Sequence, residues 1–411
     1  MSIRRTAYNI FFRLSPLLIV ILIEAALRFF GVGNSLIMFR DSEDGFKKEL
    51  NPKHYHRYVS ERQFEKIEIL SQDFPKVKDP NTYRVFLVSD HTLIAAVPEA
   101  QTEPLVQDFN LLNGKKVDLI QITVPFTDSF AVKRMLRSLK RYDADACLVF
   151  TGQNEFYGLP QKSIWMRDIR NYWGVSSYAT MKNHRLVQIL DKFLYLNKDI
   201  QKQFPPENPD AWLVEADSMV YREIYSYFNR NLKAMSNKSN FPIFYVKLPV
   251  NLKHQPYRSF FDDKELIDQD FTKECSTLLK EADKYTLNRW LEDLYAWEPE
   301  TAIYYYCKAM IEEHNNELDL AHKDYLKAVR LDAFKVRMDT SFTNLINKAG
   351  MVEPHRIIDL EAFLKASSDN PSMFCDCFIN GIELDAQSKL LLSELIRLEL
   401  TTYFSDEINK E

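Results

Sequence analysis

Short, almost wholly apolar runs alternate along the chain with longer amphipathic stretches. This is the pattern of strands buried on both faces and joined by surface helices. Such runs predict strands over 83–88, 117–124, 241–248 and 356–360, and a further one ending at Leu148-Val149-Phe150. Between them, Val132, Met135, Leu136 and Leu139 recur at helical spacing within 129–142, and Lys and Arg on the other face read as solvated. Helices are also expected over 221–235 and from about 384 to 400. Pro52, Pro75 and Pro80 break a mixed, charged stretch over 34–80, and Asp79-Pro80-Asn81 reads as a turn. The alternation predicts an α/β chain built on a parallel sheet.

The amino end departs from this pattern. Arg4, Arg5 and Arg13 precede an apolar run over 14–30. As a helix that run rises roughly 26 Å, slightly short of a ~30 Å hydrocarbon core. Glu24 and Arg28, four apart, can pair on one face. The expectation is a single-pass anchor with a cytoplasmic amino terminus and an exported remainder. A cleaved signal peptide and a soluble buried helix are the alternatives. The charges at Glu24 and Arg28 and the lack of a clean small-x-small site weigh against the first, and the unbroken apolar core weighs against the second.

Residues 271–330 read as helices. Ala321, Tyr325 and Ala328 give the second of two helices the small-large-small spacing of a tetratricopeptide hairpin. One or two such units form no free-standing solenoid, so an insertion packed on the sheet domain is expected. Residues 156–215 are aromatic and polar, either a wall over a site or plain packing.

Composition narrows the function classes. A formal charge of −5 offers no basic excess for binding nucleic acid. Nine glycines form no phosphate-binding or dinucleotide fingerprint, and no cofactor is implied. The five cysteines (Cys147, Cys275, Cys307, Cys375 and Cys377) contain no CxxC pair and suggest no disulfide framework. Cys375 and Cys377 alternate to one face of a strand, but no His/Cys group accompanies them and no metal site is expected.

The candidate chemistry centres on Gly152-Gln153-Asn154-Glu155-Phe156-Tyr157-Gly158, where an apolar strand ends in a polar, glycine-bounded turn. Asn154 brings an amide able to donate to a developing negative charge, and Gly152 lets backbone approach a ligand. This stretch resembles the third conserved block of the SGNH (GDSL-like) hydrolases, most closely the bacterial branch with a membrane segment and an inserted helical repeat. Glu24-Ala25-Ala26-Leu27-Arg28-Phe29-Phe30-Gly31, Asn51-Pro52 with Arg57-Tyr58, Pro249-Val250-Asn251-Leu252 and the return 331–337 resemble further parts of that branch.

The resemblance implies a flavodoxin-like SGNH-type sheet sandwiched by helices. It also implies an esterase site of Ser nucleophile, Gly, Asn and a His-Asp pair. The reactive groups differ here. Where relatives carry the nucleophile, this chain reads Ser89-Asp90-His91-Thr92, which puts His91 at that position. Ser89 and Thr92 are displaced by ångströms that near-attack geometry does not tolerate. Gln121 falls on the second block's Asn. Phe126, after Pro125, falls on or near the Gly whose backbone N–H relatives use in the oxyanion hole. In the closing block Asp376 is retained while Ile379 takes the general base's place, and Ile has no proton to exchange.

The expected organisation is an anchor over 1–33, a linker over 34–80, the hydrolase-like domain over 81–270 and 336–411, and the helical insertion over 271–335. The expected function is a catalytically inactive scaffold on the bacterial inner membrane, its bulk periplasmic. It would hold an envelope protein through a vestigial cleft of His91, Gly152, Asn154, Asp376 and Ile379, through the hairpin, or through both. A divergent esterase or acyltransferase acting on envelope glycan or lipid, and a purely structural subunit of a membrane assembly, are the competing expectations.

Overall fold

The computed structural model describes residues 2–58, 69–89, 105, 107–111, 114–124, 127–156, 172–196, 213–259, 267–297, 299–335, 337–367 and 384–408. The chain forms two compact units, one of residues 1–40, 50–66 and 162–207, the other of 41–49, 67–161 and 208–411.

The larger unit is built on a seven-stranded sheet of β1 (Leu70–Ser71), β2 (Thr82–Ser89), β3 (Phe109–Asn110), β4 (Lys116–Thr123), β5 (Ala146–Val149), β6 (Ile243–Lys247) and β7 (Arg356–Asp359). Its order is β7-β6-β5-β2-β4-β1, with β3 also on β4. The pairs among β7, β6, β5, β2 and β4 are parallel, while β1 and β3 run antiparallel to β4. By chain order the parallel strands lie second, first, third, fourth, fifth across the sheet. The order therefore reverses between β2 and β5, where Val85 faces Ala146 and Val88 faces Val149.

The sequence pattern explains the layers. On one face, Val85, Leu87, Leu119, Leu148, Phe244 and Ile358 join one core with Leu392, Ile396, Leu400 and Phe404 of the Ala386–Ile408 helix. The Tyr83 ring stacks on Phe404 at 4.0 Å between centroids. On the other side, the Thr340–Gly350 helix contacts both β6 and the Met219–Lys238 helix, which in turn contacts the Ser129–Leu139 helix. The carboxy-terminal helix runs eight residues beyond its expected end at 400, because Phe404 still has the sheet core to bury against. Arg84, a charge inside β2, is buried. Its guanidinium donates to the carbonyls of Tyr142 (3.1 Å) and Pro75 (2.8 Å).

Four helices, Ile267–Glu281, Lys284–Trp297, Ala302–His314 and Leu318–Leu331, share a second core. The last two form the expected hairpin, and Ala321, Tyr325 and Ala328 are buried in it. Asp332 and Arg337, both buried, close the return. Arg337 donates to the carbonyls of Asn251 (2.9 Å) and His254 (2.7 Å) and pairs with Asp332 at 3.0 Å. Asp332 also accepts from the Tyr257 and Arg258 amides. The insertion therefore belongs to the same compact unit as the sheet.

In the smaller unit, residues 50–58 and 172–196, expected as linker and excursion, join the amino-terminal segment. Asn51 caps the Pro52–Arg57 turn of 3-10 helix and donates to the Ser35 and Ile37 carbonyls at 2.7 and 2.9 Å. The Ser2–Phe29 helix contacts the Arg185–Leu196 helix. Glu24 and Arg28 pair as expected, at 2.8 Å, but Glu24 also accepts from the Arg185 and Leu186 amides at 3.0 Å each and so caps the second helix. The crossing expected over 14–30 lacks support: among the described residues, no helix is long and apolar enough to cross a membrane.

Candidate functional site

In open α/β sheets, ligands bind beyond the carboxyl ends of the strands where the strand order reverses. Here that place is bounded by the ends of β2 and β5. β5 stops at Val149, Phe150 still donates to the Val88 carbonyl at 3.0 Å, and residues 151–156 turn away as Thr151, Gly152, Gln153, Asn154, Glu155 and Phe156. His91, Asp376 and Ile379 lie outside the described residues, as do Thr92, Pro125 and Phe126.

Gly152 has φ +112°, a conformation that L side chains rarely adopt. A Cβ there would collide with Met338 Sδ and come within 3.5 Å of Ile346 and Phe228. The close approach that this glycine permits is thus to packed side chains of its own chain. Asn154 is buried, and Gln153 has a buried Oε1 that accepts no hydrogen bond among the described residues.

Glu155 fixes the turn. Its Oε1 accepts from Ser129 N at 2.8 Å and its Oε2 from Ser129 Oγ at 2.7 Å, with Thr151 Oγ1 at 3.3 Å from Oε1. Ser129 opens a helix whose cap is Asp128, bonded from Ala131 N at 2.9 Å. Asn231 donates to Ser129 Oγ at 3.0 Å, and Lys133 donates to Asn231 Oδ1 at 2.5 Å. All of these polar side chains are buried. Lys133 therefore leaves the solvated face expected for it. Its ammonium also lies 4.7 Å from the Phe130 ring centroid, and burial pulls its pKa down to about 7. Burial pushes both Asp128 and Glu155 well above the carboxylate range, and each charge disfavours the other.

The sequence did not point to this network. Asp128-Ser129 is legible as a helix start, but its link to Glu155 and Asn231 is tertiary. At the end of the turn the Phe156 ring packs with Tyr221 and Phe342, ring centroids 5.5–5.9 Å apart.

The hydroxyl at the end of β2 is committed within the sheet. Ser89 Oγ is fully buried and shares a hydrogen bond with Thr123 Oγ1 at 2.7 Å. Gln121 of β4 is also engaged: it donates to Thr123 Oγ1 at 3.0 Å and accepts from Leu105 N at 2.7 Å. Cys147, Cys275 and Cys307 are buried thiols outside any disulfide, and the described residues hold no group of three or more His, Cys, Asp or Glu placed to bind a metal ion. No protein-family model matches the chain, and no curated protein matches it.

Proposed function

We propose that the chain is a membrane-associated, catalytically inactive protein of the SGNH hydrolase type that acts as a binding or scaffold subunit of a bacterial envelope. The strand order, which is the flavodoxin-like one, supports the fold half of this reading, with the Gly152–Glu155 turn at the switch point. The observation that carries the inactive half is the fate of the hydroxyl at the end of β2. Ser89 is buried and bonded to Thr123, and the chain continues through Asp90 to His91 where an esterase needs its serine. Ile379, in place of a general base, adds a second loss.

The membrane half rests on the Ser2–Phe29 helix. Leu17 through Ile23, seven consecutive apolar residues, are each 41–59% exposed, so every side of two helical turns is apolar and unburied. Full-length protein in detergent, assayed on short acyl esters and with a fluorophosphonate label, is expected to show neither turnover nor labelling. Turnover that falls on His91→Ala or Asn154→Ala refutes the inactive reading and assigns a new catalytic set to the same cleft.

A further inference from the structure

We propose that the Arg185–Leu196 helix is a second lipid-contacting element, which lays its outer face on an anionic phospholipid surface beside the amino-terminal helix. This rests on the membrane reading above and adds to it a second point of contact and a headgroup chemistry.

Three observations within the smaller unit carry the inference. The first is continuity. Glu24 of the apolar helix caps the start of the Arg185–Leu196 helix through the Arg185 and Leu186 amides, at 3.0 Å each. A surface that receives Leu17–Ile23 therefore lies within one or two helical turns of this second helix.

The second is an inverted amphipathic pattern. Leu190 and Phe193, three apart and hence on one face, are 51% and 68% exposed. Asp191 is turned inward instead, paired with the Lys182 ammonium and accepting from Tyr178 Oη at 2.6 Å. A helix in water places its charge outward and its Leu and Phe inward.

The third is charge. Residues 1–40, 50–66 and 162–207 carry 17 Lys and Arg against 7 Asp and Glu, a surplus of +10 in a chain whose formal charge is −5. Two of those carboxylates, Glu24 and Asp191, are in ion pairs. Exposed Arg28 and Lys192 flank the apolar residues. Apolar side chains rimmed by cations are what an interfacial helix needs on an anionic leaflet.

The test uses the full chain with Cys375→Ser and Cys377→Ser and one environment-sensitive NBD label, placed by Val20→Cys, Phe193→Cys, Leu190→Cys or Val77→Cys. Each labelled protein is matched to the parent by circular dichroism and added to vesicles of phosphatidylcholine with phosphatidylglycerol, or of phosphatidylcholine alone, both carrying nitroxide-labelled lipid. The expected result is a blue shift and nitroxide quenching at 20, 190 and 193 on the anionic vesicles. Weaker quenching at 190 and 193 is expected on phosphatidylcholine alone, and none at 77. Quenching at 20 but at neither 190 nor 193 overturns this proposal and leaves the membrane reading standing. Quenching at none of these positions overturns both. Equal quenching at 190 and 193 on the two vesicle types overturns the anionic preference.

Discussion

Gly152 shows what a single residue decides at this site. Its positive φ and the proximity of Met338 each exclude a Cβ, so Gly152→Ala is expected to cost about 3 kcal/mol or more in chemical denaturation, beyond an ordinary glycine-to-alanine change. Glu155 makes a second, pH-dependent prediction. Its folded-state pKa is raised from 4.5 to about 8, chiefly by burial. A carboxyl that holds its proton more tightly when folded stabilises the fold fully below the unfolded pKa, and that contribution is lost as pH rises through the folded value. Glu155→Gln keeps a neutral, isosteric group. Its melting temperature relative to the parent is therefore expected to climb between about pH 5 and pH 8; a difference that is flat or falling across that window refutes the assignment. Both residues stand in the sequence motif, yet the motif discloses neither Met338 behind the glycine nor the buried acid beside the glutamate.

Elements were read from the chain more fully than the contacts between them. β2, β4, β5 and β6 follow runs whose β-branched, leucine and aromatic side chains fit strands buried on both faces, β7 is an edge strand in which only Ile358 is buried, and the helical hairpin follows its alanine and tyrosine spacing. The polar groups that join elements were not legible, because an ion pair leaves no period in the sequence. Arg337 is the clearest case. It ties 249–258 to the return from the helical insertion, through two carbonyls and buried Asp332. Arg337→Met leaves Asp332 as a buried charge without its cation. A loss of about 3–5 kcal/mol is expected in denaturant titration, and recovery by the double change with Asp332→Asn would assign it to the orphaned carboxylate. Lys133 escaped the helical-wheel reading for the same reason. Its spacing put it with the other basic residues on the solvated face, whereas the hydrogen bond to Asn231 of another helix and the Phe130 ring hold it buried.

For the whole molecule, the proposed function predicts behaviour in cells. The chain is expected in the membrane fraction, resistant to high salt and released by detergent, and Leu18→Glu with Leu22→Glu is expected to move it to the supernatant. A parent protein that is itself salt-extractable counts against burial of the apolar helix in lipid. The sequence by itself determined the α/β alternation, the strand-to-turn edge at Phe150–Gly152, the helical hairpin and the absence of a serine at position 91, because each is written in residue type and period along the chain. Only the tertiary structure decided which strands are neighbours, since pairing depends on crossovers whose handedness and order leave no local trace. It likewise decided that Glu155 is locked to Ser129, that Glu24 caps a helix about 160 residues away in sequence, and that Leu190 and Phe193 face outward while Asp191 faces in. Burial and hydrogen-bond partners are properties of the assembled chain, and residues distant in sequence set them.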